Sequence, residues 1–150
     1  MTTKSINDIQ ETQIYTATKD AATLVNGTTL FTVEGGPILI DEIVAVCVTA
    51  NNATASTLQF SADGTDGVAT TISGATATLA SAAAGTIVAL VPGTLATAPA
   101  IYANGVGIAG TVGIVVPAGI ITSVVGVGST TGTWKLNMRY RPLAAGVRVY

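Results

Sequence analysis

The sequence predicts an all-β fold: a single antiparallel β-sandwich or jelly-roll-like domain with a flexible N-terminal arm. Three observations carry this. Turn-forming Gly, Pro, Asn and Asp clusters recur about every 8–12 residues, the spacing of sandwiches and barrels. The runs between them are rich in Val, Ile and Thr, whose branched β-carbons favour strands. The 150 residues suffice for one core, but with two Phe and one Trp that core is built from small side chains.

Residues 1–22 differ in composition from the rest of the chain. They hold five of the fourteen charged residues and few large apolar ones. Ser5 with Asp8 suits the start of a short helix carrying Ile6 and Ile9. An extended arm that orders only against a neighbour suits the composition equally. The domain proper is therefore expected over 23–150, with 1–22 as the arm.

Thr28–Glu34 is the first predicted strand, and Gly35-Gly36-Pro37 a turn. Ile38–Ala50 is a long apolar run, either one bent strand or two joined at Asp41-Glu42. Thr57–Ala62 alternates, with Leu58 and Phe60 on one face. Asp63-Gly64 and Asp66-Gly67 are hairpin-type turn pairs. Strands are expected next at 68–72, 75–79, 86–91, 101–106, 111–116, 120–127 and 133–141, although 77–84 also suits one helical turn. In Thr133–Arg141, Trp134, Leu136, Met138 and Tyr140 point one way, and Lys135, Asn137, Arg139 and Arg141 the other. Trp134 is the expected core anchor. Pro142 should close this strand, and Gly146–Tyr150 should add a last short one.

Charge is distributed unevenly. From Gly67 to Trp134 no side chain is charged, a stretch of 68 residues. All eight acids lie before it, while Lys135, Arg139, Arg141 and Arg148 lie after it. A lone globule needs a hydrated surface, so the uncharged middle is expected to face other subunits. The net charge of −2 argues against general nucleic-acid binding. No apolar run reaches 18 residues, and no membrane partner is expected. The polar N-terminus does not read as a signal peptide.

Catalytic apparatus is sparse. There is no histidine, which removes Ser-His-Asp and Cys-His chemistry and the usual zinc ligand sets. Cys47 lies among apolar neighbours and reads as a core residue. Gly105, Gly107 and Gly110 have the spelling of a dinucleotide loop but lack the acid about 20 residues on. Asp63 and Asp66 fall short of a calcium ligand set. Asp41 and Glu42 are adjacent and should point to opposite faces. No enzyme activity, cofactor or metal is expected. Asn26-Gly27-Thr28 and Asn52-Ala53-Thr54 match the glycosylation pattern, which has no meaning without a secretory signal.

The order of segments resembles small structural proteins of tailed bacteriophages that decorate or cement the capsid. The markers are Leu58-Gln-Phe-Ser-Ala-Asp63, then Pro117-Ala-Gly-Ile-Ile121, Thr131-Gly-Thr-Trp-Lys-Leu136 and Arg139-Tyr-Arg-Pro-Leu143. The likeness covers residues 30–150. It implies a β-sandwich or jelly-roll-like knob, a homotrimer on the virion capsid surface, assembled in the host cytoplasm, with the major capsid protein as partner. Candidate capsid contacts are Lys4, Ile6, Ile9 and Gln13 on the arm and Lys135, Arg139 and Arg141 on the basic ladder. The alternative is a head-fibre or tail-associated adhesin that binds carbohydrate, for which Tyr102 and Asn104 come nearest to a sugar site.

Overall fold

The computed structural model describes residues 13–90, 107–108, 113–127 and 129–150. These contain no helix. The strands are β1 (Tyr15–Val25), β2 (Thr29–Glu34), β3 (Ile38–Cys47), β4 (Thr57–Gly64), β5 (Ala69–Thr71) and β6 (Ile87–Leu90). They continue with β7 (Gly107–Ile108), β8 (Ile114–Val116), β9 (Gly119–Gly126), β10 (Ser129–Pro142) and β11 (Arg148–Val149). One sheet has the order β1-β10-β3-β8-β7, with β6 also paired to β3. The other has the order β11-β2-β9-β4-β5. Every pairing is antiparallel.

The two sheets share one apolar core. β10 shows how the sequence builds it. Its period-two alternation sends Trp134, Leu136, Met138 and Tyr140 inward, opposite Cys47, Ala45, Ile43 and Ile40 of β3. Trp134 is fully buried. Its neighbours in register are Cys47 on one side and Ala22 on the other, small residues that leave room for the indole. From the second sheet come Phe31, Leu58, Phe60 and Ile121. Each fully buried Ile or Leu contributes about 1.5–3 kcal/mol.

Several expectations change. β1 starts at Tyr15, inside the stretch read as an arm, and pairs with β10 from Tyr15↔Tyr140 to Val25↔Ser129. Only Ala17 and Leu24 of β1 are buried, so its apolar pattern is too sparse to mark a strand by sequence. β3 is one strand with a bulge. Glu42 pairs with Arg139 and Ile40 with Tyr140, which leaves Asp41 unpaired between them. The extra residue breaks the alternation, so Asp41 and Glu42 face the same side rather than opposite sides. Residues 75–84 form neither strand nor helical turn. They are a loop held by single bonds, such as Thr76 N–H to Leu58 C=O and Leu79 N–H to Ser56 C=O. β10 runs through Pro142 instead of stopping before it. The strand expected at 101–106 lies outside the described residues.

Candidate functional site

The strands segregate the charges. Val25 of β1, Cys47 of β3 and Gly126 of β9 come to one end of the molecule. They meet there the starts of β4, β6 and β10, at Thr57, Ile87 and Ser129. The connections at this end are 26–28, 48–56, 72–86 and the turn at Val127, and none contains a charged side chain. Glu34, Asp41, Glu42, Asp63, Asp66, Arg139, Arg141 and Arg148 belong to the opposite half. Lys19, Asp20 and Lys135 lie between.

The uncharged end is braced rather than loose. The buried Asn51 side chain carries the brace. Its Oδ1 accepts from Gly132 N–H at 2.8 Å and from the Trp134 indole N–H at 3.2 Å, while its Nδ2 donates to Leu79 C=O at 2.9 Å. One amide thereby ties the 48–56 and 72–86 connections to β10. Asn51 N–H also donates to Ala82 C=O, Ser81 N–H to Asn52 C=O, and Asn52 N–H to the Thr131 hydroxyl. Gly132 is required by space, since a Cβ there would meet the Thr49 carbonyl oxygen and Asn51 Oδ1. Thr130, fully buried, accepts from Leu24 N–H at 2.8 Å and donates to Gly132 C=O.

This rigid platform exposes apolar side chains. Val48 is 50% exposed, Ile87 63% and Val127 71%, values that exclude them from the core. Val127 also has φ of 60°, a left-handed backbone that is unfavourable for a β-branched residue. This end is thus uncharged, preorganised and apolar at its tips, features that a protein contact can use.

The residues proposed for contact from the sequence are scattered. Lys4, Ile6 and Ile9 lie outside the described residues. Gln13 is exposed and accepts a hydrogen bond from the Tyr15 hydroxyl at 3.1 Å. Lys135, Arg139 and Arg141 share the outer face of β10, yet two of them are engaged internally. Arg141 Nε donates to Asp41 Oδ2 at 3.0 Å, and Arg139 lies 3.8 Å from Glu42. The Asp41 carboxylate is 7% exposed, and its Oδ1 is buried with no partner among the described residues. Lys135 makes no ion pair within that set. The β3 bulge thus supplies two acids that neutralise most of the predicted ladder.

A second feature lies at the charged end. A groove of about 320 Å³ is lined by Tyr15, Tyr140, Pro142, Val147 and Arg148. The two tyrosine rings stack with centroids 5.8 Å apart. Burial, with a smaller contribution from Tyr15, pushes the Tyr140 hydroxyl above the ordinary tyrosine range.

Cys47 is buried, and its Sγ donates to Thr49 C=O at 3.2 Å. Gly107 lies in β7, while Gly105, Gly110, Tyr102 and Asn104 lie outside the described residues. Among the described residues no three Asp, Glu, Cys or His side chains converge. No protein-family model, curated protein or solved structure matches this chain.

Asn51 is the residue that sequence reasoning missed. Asn51-Asn52 reads as a turn. The signal available was indirect: a buried indole N–H needs an acceptor, and an asparagine in a nearby turn can supply one.

Proposed function

We propose that this chain is a virion structural protein, a homotrimeric cement subunit that decorates and stabilises a tailed-phage capsid. In this reading the two sheets form a β-sandwich of jelly-roll-like type, and the partners are further copies of the chain and the major capsid protein. The observation that carries the proposal is the uncharged, braced end exposing Val48, Ile87 and Val127. Such a surface is poorly hydrated alone and is stabilised when covered. Burial contributes roughly 25 cal/mol per Å², and a stable interface of over about 1,000 Å² would add much to a core built of small side chains. Rigidity keeps the entropic cost of docking low.

The test mixes the purified protein with undecorated phage heads and measures its mass by sedimentation. A particle of three times 14.9 kDa that binds the heads supports the proposal. A monomer at every concentration that leaves the heads bare refutes it. A second reading, a carbohydrate-binding adhesin of a head fibre or tail, is favoured by the groove of Tyr15, Tyr140 and Arg148, because stacked aromatic rings beside a cation suit a sugar. Saturation-transfer NMR with a panel of monosaccharides would reveal it.

A further inference from the structure

We infer that the uncharged end is where copies of this chain meet one another, with Val127 as the anchor of the contact. The inference deepens the proposed self-assembly and rests on it, naming the surface through which the copies associate. Two observations converge on this end. The first is backbone strain. Among the described residues only Ser81 and Val127 are non-glycine residues with positive φ, at 57° and 60°, and both lie in its connections. A branched β-carbon fits the left-handed region poorly, where glycine is free. Val127 nonetheless stands between two glycines in the sequence, Gly126 and Gly128. Its side chain is not held there by the core, since it is 71% exposed. Strain that no internal packing offsets points to a position kept for a contact.

The second observation is a row of aliphatic side chains. β1, β10, β3 and β6 are neighbours in one sheet. At this end they bring together Val25, Val48 and Ile87, with Val127 just ahead of β10. Val25 pairs with Ser129, Val48 N–H donates to Thr133 C=O, and Ile87 pairs with Val46. Four strands spaced about 4.8 Å apart give a row of roughly 14 Å. All four side chains are 48% exposed or more.

The charge distribution indicates what covers this row. In a symmetric contact between identical chains, equivalent residues approach one another close to the axis, and a charge there meets its own sign. The uncharged end offers copies a surface free of that repulsion. Lys135, in register with Val46, stands at its border, where a rim charge stays hydrated. A different protein would find no charge here to be selected by, whereas the opposite half presents both signs.

The experiment compares wild type, Val127→Gly and Ile87→Glu by sedimentation equilibrium across concentration and by binding to undecorated phage heads. Val68→Glu, at a position 50% exposed in the opposite half, is the control. Emission of the buried Trp134 checks that each variant is folded. Glycine adopts φ of 60° freely, so Val127→Gly relieves strain and a weaker assembly cannot be laid to a damaged fold. The expected result is association weakened roughly tenfold by Val127→Gly and further by Ile87→Glu, with Val68→Glu like wild type. An assembly indifferent to the first two variants, or weakened equally by Val68→Glu, overturns the inference and leaves self-assembly standing. Loss of head binding while the assembly persists assigns this end to the shell and overturns the inference as well. A wild type that is monomeric at every concentration overturns both readings. Should Val127→Gly disturb the Trp134 emission, Ile87→Glu decides, since its side chain is 63% exposed and outside the core.

Discussion

The Trp134 indole N–H donates to Asn51 Oδ1 at 3.2 Å, and the same oxygen accepts Gly132 N–H at 2.8 Å. A single buried amide thus satisfies the core anchor and fixes the uncharged end. Asn51→Ala leaves two buried donors, Gly132 N–H and the Trp134 indole N–H, without partners, each costing about 1–3 kcal/mol. We expect a loss of roughly 3 kcal/mol or more in urea unfolding. Trp134→Phe removes the bond and part of the bulk and should cost less than Trp134→Ala, for which about 3–5 kcal/mol is expected.

Gly132→Ala tests the brace from the backbone side. Its Cβ would press on the Thr49 carbonyl and Asn51 Oδ1, so neighbouring chain must move. Overpacking of this kind costs about 1–3 kcal/mol. Hydrogen exchange should show the loss of protection concentrated in 48–56 and 72–86, with β2 and β11 unaffected.

The Asp41–Arg141 pair is expected to behave non-additively. Arg141→Met leaves a largely buried carboxylate with no cation and should destabilise by roughly 2 kcal/mol, discounted for the partial exposure of the arginine. The double variant Asp41→Leu with Arg141→Met should cost less than the sum of the singles. A double-mutant cycle measures the difference, and strict additivity would contradict the pairing.

Tyr140 predicts an alkaline limit to stability. Its hydroxyl ionises above the ordinary tyrosine value in the folded state, mainly because it is buried. In the window between the unfolded and folded values the folded chain binds more protons, so stability falls as pH rises through it. The contribution is fully present below about pH 10, the unfolded tyrosine value. Unfolding curves at increasing alkaline pH should show this decline, and Tyr140→Phe should reduce it.

How much of the fold was legible in the sequence depended on the strength of its alternation. β10 was legible because seven consecutive residues alternate cleanly from Trp134 to Tyr140, and β4 because Leu58 and Phe60 stand two apart. β1 was not, since Thr, Ala, Lys and Asp dominate it and only its pairing with β10 holds it in the sheet. The Asp41 bulge was equally hidden: alternation assigns neighbours to opposite faces, and only the partner strand reveals that a residue has been skipped. The uncharged stretch was visible in the composition. That the loops preceding Gly67 also gather at the same end, and that Asn51 binds them together, depends on topology alone.

The pairing of β1 with β10 also governs when the chain can fold. β1 lies against β10, a strand far along the chain, and β10 separates β1 from β3, so that sheet has no centre until Pro142 has left the ribosome. The core therefore cannot close before β10 has been made. Sheets dominated by such distant pairings fold slowly, on the order of milliseconds to seconds. During that interval the apolar β3 run, Ile38–Cys47, is uncovered. A chain truncated before Ser129 has no route to a native sheet, so nonsense products should aggregate or be degraded rather than persist as partial folds.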